Sequence, residues 1–76
     1  MKPLRIGIAG CGAIGSSLAR TVARDFKGRG RLAGLYDIDG EKSRVLSRVL
    51  SKDDSLVVKT LSSLIIRSDL VIEASS

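Results

Sequence analysis

The sequence predicts an α/β fold, a doubly wound parallel sheet followed as far as its fourth strand, in the order 3-2-1-4. Three observations predict it. Apolar runs and amphipathic helical segments alternate along the chain as β-α-β-α-β-α-β. The apolar runs are continuous rather than alternating, the pattern of strands covered on both faces. The first run leads into the first helical segment through Gly10-Cys11-Gly12-Ala13-Ile14-Gly15, and an acidic residue, Asp37, closes the second run twenty-two residues after Gly15. A glycine hexad alone is weak evidence. Between a strand and a helix, with a carboxylate at that distance, it is the fingerprint of a Rossmann-type dinucleotide-binding unit.

The elements follow in order. Leu4 to Ala9 reads as the first strand. The first helix covers about Ala13 to Asp25, with Ile14, Leu18, Val22 and Phe26 recurring every four residues as an apolar stripe and Arg20 and Arg24 off it. Leu32 to Tyr36 is the second strand, with Asp37 at its carboxyl end. Asp39, ahead of Gly40-Glu41-Lys42, reads as the N-cap of a second helix over about Glu41 to Leu50, packed through Val45, Leu46, Val49 and Leu50. Ser51 to Ser55 is a polar turn, and Leu56 to Lys59 a short third strand. Ser62 or Ser63 starts a third helix through Arg67. Asp69 leads into Leu70-Val71-Ile72, a fourth strand ending in Glu73-Ala74-Ser75-Ser76. Right-handed crossovers arrange these strands as 3-2-1-4. The expectation is one partial dinucleotide-binding domain over residues 1–76, truncated after the fourth strand, with any substrate domain outside the chain.

Each glycine of the hexad answers a different steric demand. Gly10 turns the chain sharply out of the first strand, Gly12 lets a pyrophosphate approach the main chain, and Gly15 lets helix lie close to strand. The N–H groups near Gly12, Ala13 and Ile14 are then the unpaired donors of a helix N-terminus, which attracts an anion without a basic side chain. Asp37 is placed to accept hydrogen bonds from both adenosine ribose hydroxyls and to repel a 2′-phosphate, with Ile38 beside it. This predicts an NAD cofactor in preference to NADP; Lys42 and Arg44 lie near enough in sequence to leave NADP open.

Length and composition set the outer limits. Seventy-six residues form one small domain, a size that buries only about 60% of its unfolded surface. The chain is 43% hydrophobic and 28% charged, and no apolar stretch approaches the ~20 residues of a membrane span. The single cysteine excludes an internal disulfide framework and fits a cytoplasmic location. The first strand begins too early for a cleaved signal peptide. Net charge is +5, with Lys27, Arg29 and Arg31 crowded into Lys27-Gly28-Arg29-Gly30-Arg31. That loop has no interleaved aromatic residues, so it reads as a solvated loop and not a nucleic-acid surface. The expected partners are therefore a dinucleotide and, through the fourth strand's open edge, further copies of the chain, with neither nucleic acid nor membrane.

Ile6-Gly7-Ile8-Ala9 running into GCGAIG, then Leu35-Tyr36-Asp37 and Val71-Ile72-Glu73-Ala74-Ser75, resembles the amino-terminal part of the L-aspartate dehydrogenase family. The resemblance spans nearly all of the chain, and only the cofactor half of that family's enzyme. It implies a parent that interconverts L-aspartate and iminoaspartate by hydride transfer to a nicotinamide cofactor. It implies that Gly10, Gly12, Ala13, Ile14 and Gly15 carry the pyrophosphate and Asp37 the adenosine ribose, that Cys11 and Ile38 belong to the same cofactor-binding set, and that Ala74 and Ser75 lie near the nicotinamide-side ribose. Homoserine dehydrogenases and dihydrodipicolinate reductases are similar in this region. NAD-sensing modules of potassium transporters share strand, glycines, helix and Asp. They carry a Gly-Asp-Ala-Thr-like segment after the third strand, where this chain reads Lys59-Thr60-Leu61-Ser62-Ser63.

The family's catalytic histidine belongs to a later domain, and this chain has no histidine. No catalytic residue is therefore assigned, and the small-molecule substrate belongs to a longer parent. Cys11 reads as a small packed residue rather than a reactive thiol, although helix N-termini acidify thiols. Glu73 reads as a strand-end carboxylate bonded to backbone. Ser75 and Ser76 have no histidine to activate them. One cysteine without histidine does not make a closed transition-metal shell, so no metal site is assigned.

Overall fold

In the computed structural model, residues 2–75 are described. Ser76, the last residue of the expected strand-end segment, lies outside them. The elements run β1 (Leu4–Ala9), α1 (Ala13–Asp25), β2 (Gly30–Tyr36), α2 (Gly40–Ser51), α3 (Leu61–Arg67) and β3 (Leu70–Glu73). The strands form a parallel sheet in the order β2-β1-β3. Helices α1 and α2 pack on one face and α3 on the other.

The four-strand order is the main correction. The expected third strand, Leu56 to Lys59, contributes one parallel bridge, Leu35 to Val57, on the outer side of β2. Leu35 N–H donates to the Leu56 carbonyl at 2.7 Å, and Val58 N–H to the Leu35 carbonyl at 2.9 Å. Val57 N–H, on the side away from β2, donates to the Asp54 carbonyl at 3.0 Å. Pairing goes no further because Thr60 already starts α3, its side-chain oxygen accepting from Ser63 N–H at 3.1 Å and its carbonyl from Leu64 N–H at 3.1 Å. The sheet described is three-stranded.

The helix faces also differ from the hydropathy reading. Ile14 and Phe26, at the two ends of the expected stripe, are 60% and 41% exposed. The buried face of α1 is Gly15, Ala19 and Val22. Small residues face the sheet because α1 lies so close to it: a Cβ on Gly15 would collide with the Gly10 carbonyl oxygen. On α2 the buried face is Ser43, Leu46 and Ser47, while Val45 and Val49 are exposed. Burying two hydroxyls costs little because both are bonded. Ser43 Oγ donates to the Gly40 carbonyl at 3.0 Å. Ser47 Oγ donates to the Asp53 carbonyl at 2.7 Å and accepts from Leu56 N–H at 3.1 Å.

One core lies between β1, β2, α1 and α2, around Ile6, Ile8, Ala19, Val22, Leu35 and Leu46. On the other face Leu64 of α3, fully buried, sits over two glycines. A Cβ on Gly7 or Gly34 would come within 3 Å of the Leu64 Cδ1. Arg5 ties β1 to the start of β3 through a two-pronged ion pair with Asp69, 2.9 and 3.2 Å, and its backbone N–H donates to the same carboxylate. This pair, with the Lys27–Arg31 loop, lies at the amino ends of the strands. The glycine hexad and Asp37 lie at the opposite, carboxyl ends.

Candidate functional site

The hexad leaves β1 through Gly10, whose φ of +108° is a conformation that favours glycine. Its N–H donates to the Tyr36 carbonyl at 2.7 Å, continuing the ladder one step beyond the strand. A Cβ on Gly10 would press on the Ser75 N at 2.6 Å and the Ala74 carbonyl carbon at 2.9 Å. Ala74 and Ser75 are thus held against the start of the hexad, anchored by Ala74 N–H donating to the Ala9 carbonyl at 2.7 Å.

Gly12 is different. It is the N-cap of α1, and a Cβ built on it meets nothing within 4 Å. No side chain caps this helix, whereas Asp39 caps α2 and Thr60 caps α3. Ser16 N–H is the first to find a helical acceptor, the Gly12 carbonyl at 2.8 Å. The N–H groups of Ala13, Ile14 and Gly15 have no acceptor within the helix. Open space in front of such donors, at the positive end of a helix dipole, fits an anion that approaches the backbone closely.

Asp37 follows β2 directly and reaches back to the hexad. One carboxylate oxygen accepts from Cys11 N–H at 2.7 Å and the other from Asp39 N–H at 2.8 Å. The Cys11 bond above all holds its carboxyl below the usual range; burial opposes it, and the Asp39 N–H and the nearby Lys42 ammonium add smaller lowering effects. Each oxygen keeps further acceptor capacity, so the carboxylate can brace the loop and still receive hydroxyls. The Cys11 side chain is buried and points to the Tyr36 carbonyl, 3.6 Å away. Burial, with Asp37 beside it, pushes the thiol up to about 11. That outweighs the acidifying helix end, and the group is a neutral thiol at pH 7.

Two clefts open at this end of the sheet. The first, about 320 Å³, is lined by Gly10, Gly12, Ala13, Ile14, Asp37, Lys42, Ala74 and Ser75. Every residue expected to carry pyrophosphate or ribose therefore lines it, apart from the buried Cys11 and Gly15 and from Ile38. The second, about 290 Å³ and mostly apolar, is walled by Tyr36, Ile38 and Leu61 and shares Gly10, Asp37 and Ser75 with the first. Ile38 is 94% exposed at its rim. Leu61 and the wall role of Tyr36 have no sequence signal, because α3 brings Leu61 there from a distant segment. Glu73 lies at this rim too, accepting from the N–H and hydroxyl of Ser75, which lowers its pKa. That is the backbone-bonded carboxylate expected.

No family model matches the chain. The chain is 35% identical over 78 residues to the L-aspartate dehydrogenase of Methanocaldococcus jannaschii, an alignment that takes in 96% of this chain and 27% of that protein. The resemblance to L-aspartate dehydrogenase holds. The chain spans about a quarter of the length of that relative. Among solved structures, the UDP-N-acetylglucosamine 3-dehydrogenase of Acidithiobacillus ferrooxidans, in two crystal forms, superposes with a TM-score of 0.82 over all of this chain and 23% of its own. At 22% identity that likeness shows the fold alone, a Rossmann-like α/β fold. Within the stretch shared with L-aspartate dehydrogenase lie the hexad and Asp37. Among the described residues no helix is long and apolar enough to cross a membrane, and no cluster of potential metal ligands occurs.

Proposed function

We propose that the chain is the dinucleotide-binding portion of a cytoplasmic, NAD-dependent oxidoreductase of the L-aspartate dehydrogenase type. The observation that carries this reading is Gly12, an N-cap with open space where a Cβ would stand, at the uncapped start of α1 and beside a carboxylate bonded to the same loop. The backbone N–H groups of Ala13 and Ile14 receive the pyrophosphate. Asp37 accepts the two adenosine ribose hydroxyls and repels a 2′-phosphate. Tyr36, Ile38 and Leu61 offer the adenine an apolar cleft, and Ala74 and Ser75 border the nicotinamide-side ribose. When bound, the nicotinamide supplies a hydride acceptor. The substrate is L-aspartate, handled by residues of the longer parent, since this chain carries no histidine to move a proton.

Calorimetric titration of the 76-residue chain with NAD and with ADP-ribose tests the reading. Saturable binding of both, abolished in Gly12→Val, is the expected result. Absence of binding to a folded sample, or unchanged binding in the variant, overturns it.

A further inference from the structure

The amino ends of the strands, opposite the hexad, carry cations that the fold leaves unpaired. Arg31 of β2 is the register partner of Arg5 on β1. Arg5 is committed to Asp69, while Arg31 has no ion pair among the described residues. Lys2, Lys27 and Arg29 have none among them either. The carboxylates at this end are taken. Asp25 holds Arg24, Asp54 holds Arg48, and Asp53 accepts from the Ser51 hydroxyl and Ser55 N–H.

The loop between α1 and β2 is fixed by its backbone. Arg29 N–H and Gly30 N–H both donate to the Phe26 carbonyl, at 2.9 and 2.8 Å, and the Arg29 carbonyl accepts from Leu4 N–H at 2.8 Å. Gly28, at φ +84°, turns the chain within it. Lys27, Arg29 and Arg31 therefore stand on a prearranged frame, and only their side chains lose freedom on meeting a ligand.

Two clefts adjoin there and share Pro3 and Arg31. One, about 560 Å³, is lined otherwise by Lys2, Arg5 and Asp69, so cations outnumber carboxylates in it. The other, about 360 Å³, is walled by the half-buried Leu32, Leu50 and Leu56, with Lys27 beside them. A cationic cleft next to an apolar one fits carboxylates that flank an apolar side chain. Nucleic acid fits less well, because its phosphates leave the apolar cleft empty and neither lining offers an aromatic ring to a base. A second copy of the chain would bring a net charge of +5 against the same sign.

We infer that this end of the sheet is a docking surface for an acidic segment of a partner protein: Lys2, Arg29 and Arg31 receive its carboxylates, and the cleft at Leu32, Leu50 and Leu56 takes an apolar side chain between them. The surface is separate from the cleft at Gly12 and Asp37 and does not depend on the dinucleotide reading.

The probe is the peptide acetyl-Glu-Asp-Leu-Glu-Asp-amide, titrated into the 76-residue chain while amide NMR shifts are recorded. Saturable binding is expected, with the largest shifts at Lys2, Arg5 and Lys27 to Arg31. Charge reversal removes an attraction and adds a repulsion, so Arg31→Glu should weaken the peptide about tenfold. Arg29→Glu should act in the same direction, and decides the matter if Arg31→Glu does not fold. Lys59→Glu alters the net charge equally, at an exposed position at the other end of the sheet, and should leave the affinity within about twofold. A peptide with Ser in place of Leu should bind several-fold more weakly. No binding to the wild-type chain overturns the inference. So do equal losses in Lys59→Glu and the arginine variants, no loss with the Ser peptide, or tighter binding of a thymidine oligonucleotide than of the peptide.

Discussion

The sharpest contrast lies between two glycines three residues apart, Gly12 and Gly15. At Gly15 a Cβ would run into the Gly10 carbonyl oxygen, a backbone atom that moves only if α1 moves off the sheet. Overpacking of this kind costs ~1–3 kcal/mol or more. A domain of this length has a total stability of roughly 4–11 kcal/mol, at ~0.05–0.15 kcal/mol per residue. Since each kcal/mol moves the melting temperature of so small a domain by about 4–8 °C, Gly15→Ala should lower it by roughly 4–24 °C. At Gly12 the added Cβ meets nothing and φ is −77°, open to any residue. Losing the preferred N-cap costs some tenths of a kcal/mol to about 1, and removing a glycine from the unfolded chain returns ~0.4–1. Gly12→Val should therefore melt within a few degrees of wild type. Its effect falls on binding: a side chain in the space before Ala13 and Ile14 removes at least one charge-assisted contact, worth ~1.5–3 kcal/mol, or about ten- to a hundredfold in affinity. Melting followed by circular dichroism and calorimetry with ADP-ribose read the two effects separately. If Gly12→Val destabilises as much as Gly15→Ala, or binds as wild type does, the division of labour argued from these two positions is wrong.

Other perturbations separate the remaining roles. Asp37→Ala should narrow the gap between ADP-ribose and its 2′-phosphate form by weakening the first and relieving repulsion of the second; a wider gap on titration counts against the ribose assignment. Asp69 is held at about 2 instead of 3.8, first by the Arg5 side chain and then by the Arg5 N–H. Its contribution to stability is thus in place above about pH 4 and is lost as the pH falls toward 2, so Asp69→Asn should flatten the acid limb of melting temperature against pH in that window. β3 is an edge strand with Leu70 46% exposed, so the chain should self-associate at high concentration and Leu70→Lys should suppress it. Light scattering that finds a monodisperse monomer at every concentration refutes this. No NADH should accumulate with L-aspartate and NAD, because the chain has no histidine; measurable turnover would contradict the assignment of proton transfer to other sequence.

The parts of this fold legible in the sequence are those that local chemistry dictates. β1 and α1 fall on the expected residues because the glycine hexad ends one and starts the other. Asp39 caps α2 as its position before Gly40-Glu41 implies. What hydropathy misread were the buried faces of the helices and one strand. Val45 and Val49 outrank Ser43 and Ser47 on any apolar scale, yet the serines are buried. Ser47 does there what a valine has no means to do: its hydroxyl holds the Asp53 carbonyl and the Leu56 N–H, which fixes the turn back toward β2. Leu56-Val57-Val58 likewise has the composition of a strand. It is cut short because Thr60, two residues after Val58, begins α3 and gives its carbonyl to Leu64 N–H.

The candidate site shows why its acidic residue stands where it does. Read from spacing, Asp37 is a ligand contact. In the fold it is first a brace, since its two oxygens hold the N–H groups of Cys11 and Asp39 and so link the loop after β1 to the loop after β2. Gly10 makes the neighbouring link through the Tyr36 carbonyl. The space before Gly12 therefore has its shape before any ligand enters, and the ordering cost of binding is reduced accordingly. The brace also implies that Asp37→Asn is not a mild change. An amide accepts through one oxygen only, so one of the two loop links must be lost and an NH₂ group brought against a backbone N–H. Asp37→Asn should thus weaken ADP-ribose at least as much as Asp37→Ala does. Amide exchange at Cys11 and Asp39 should accelerate in both variants, a change that a carboxylate acting on the ribose alone would not produce.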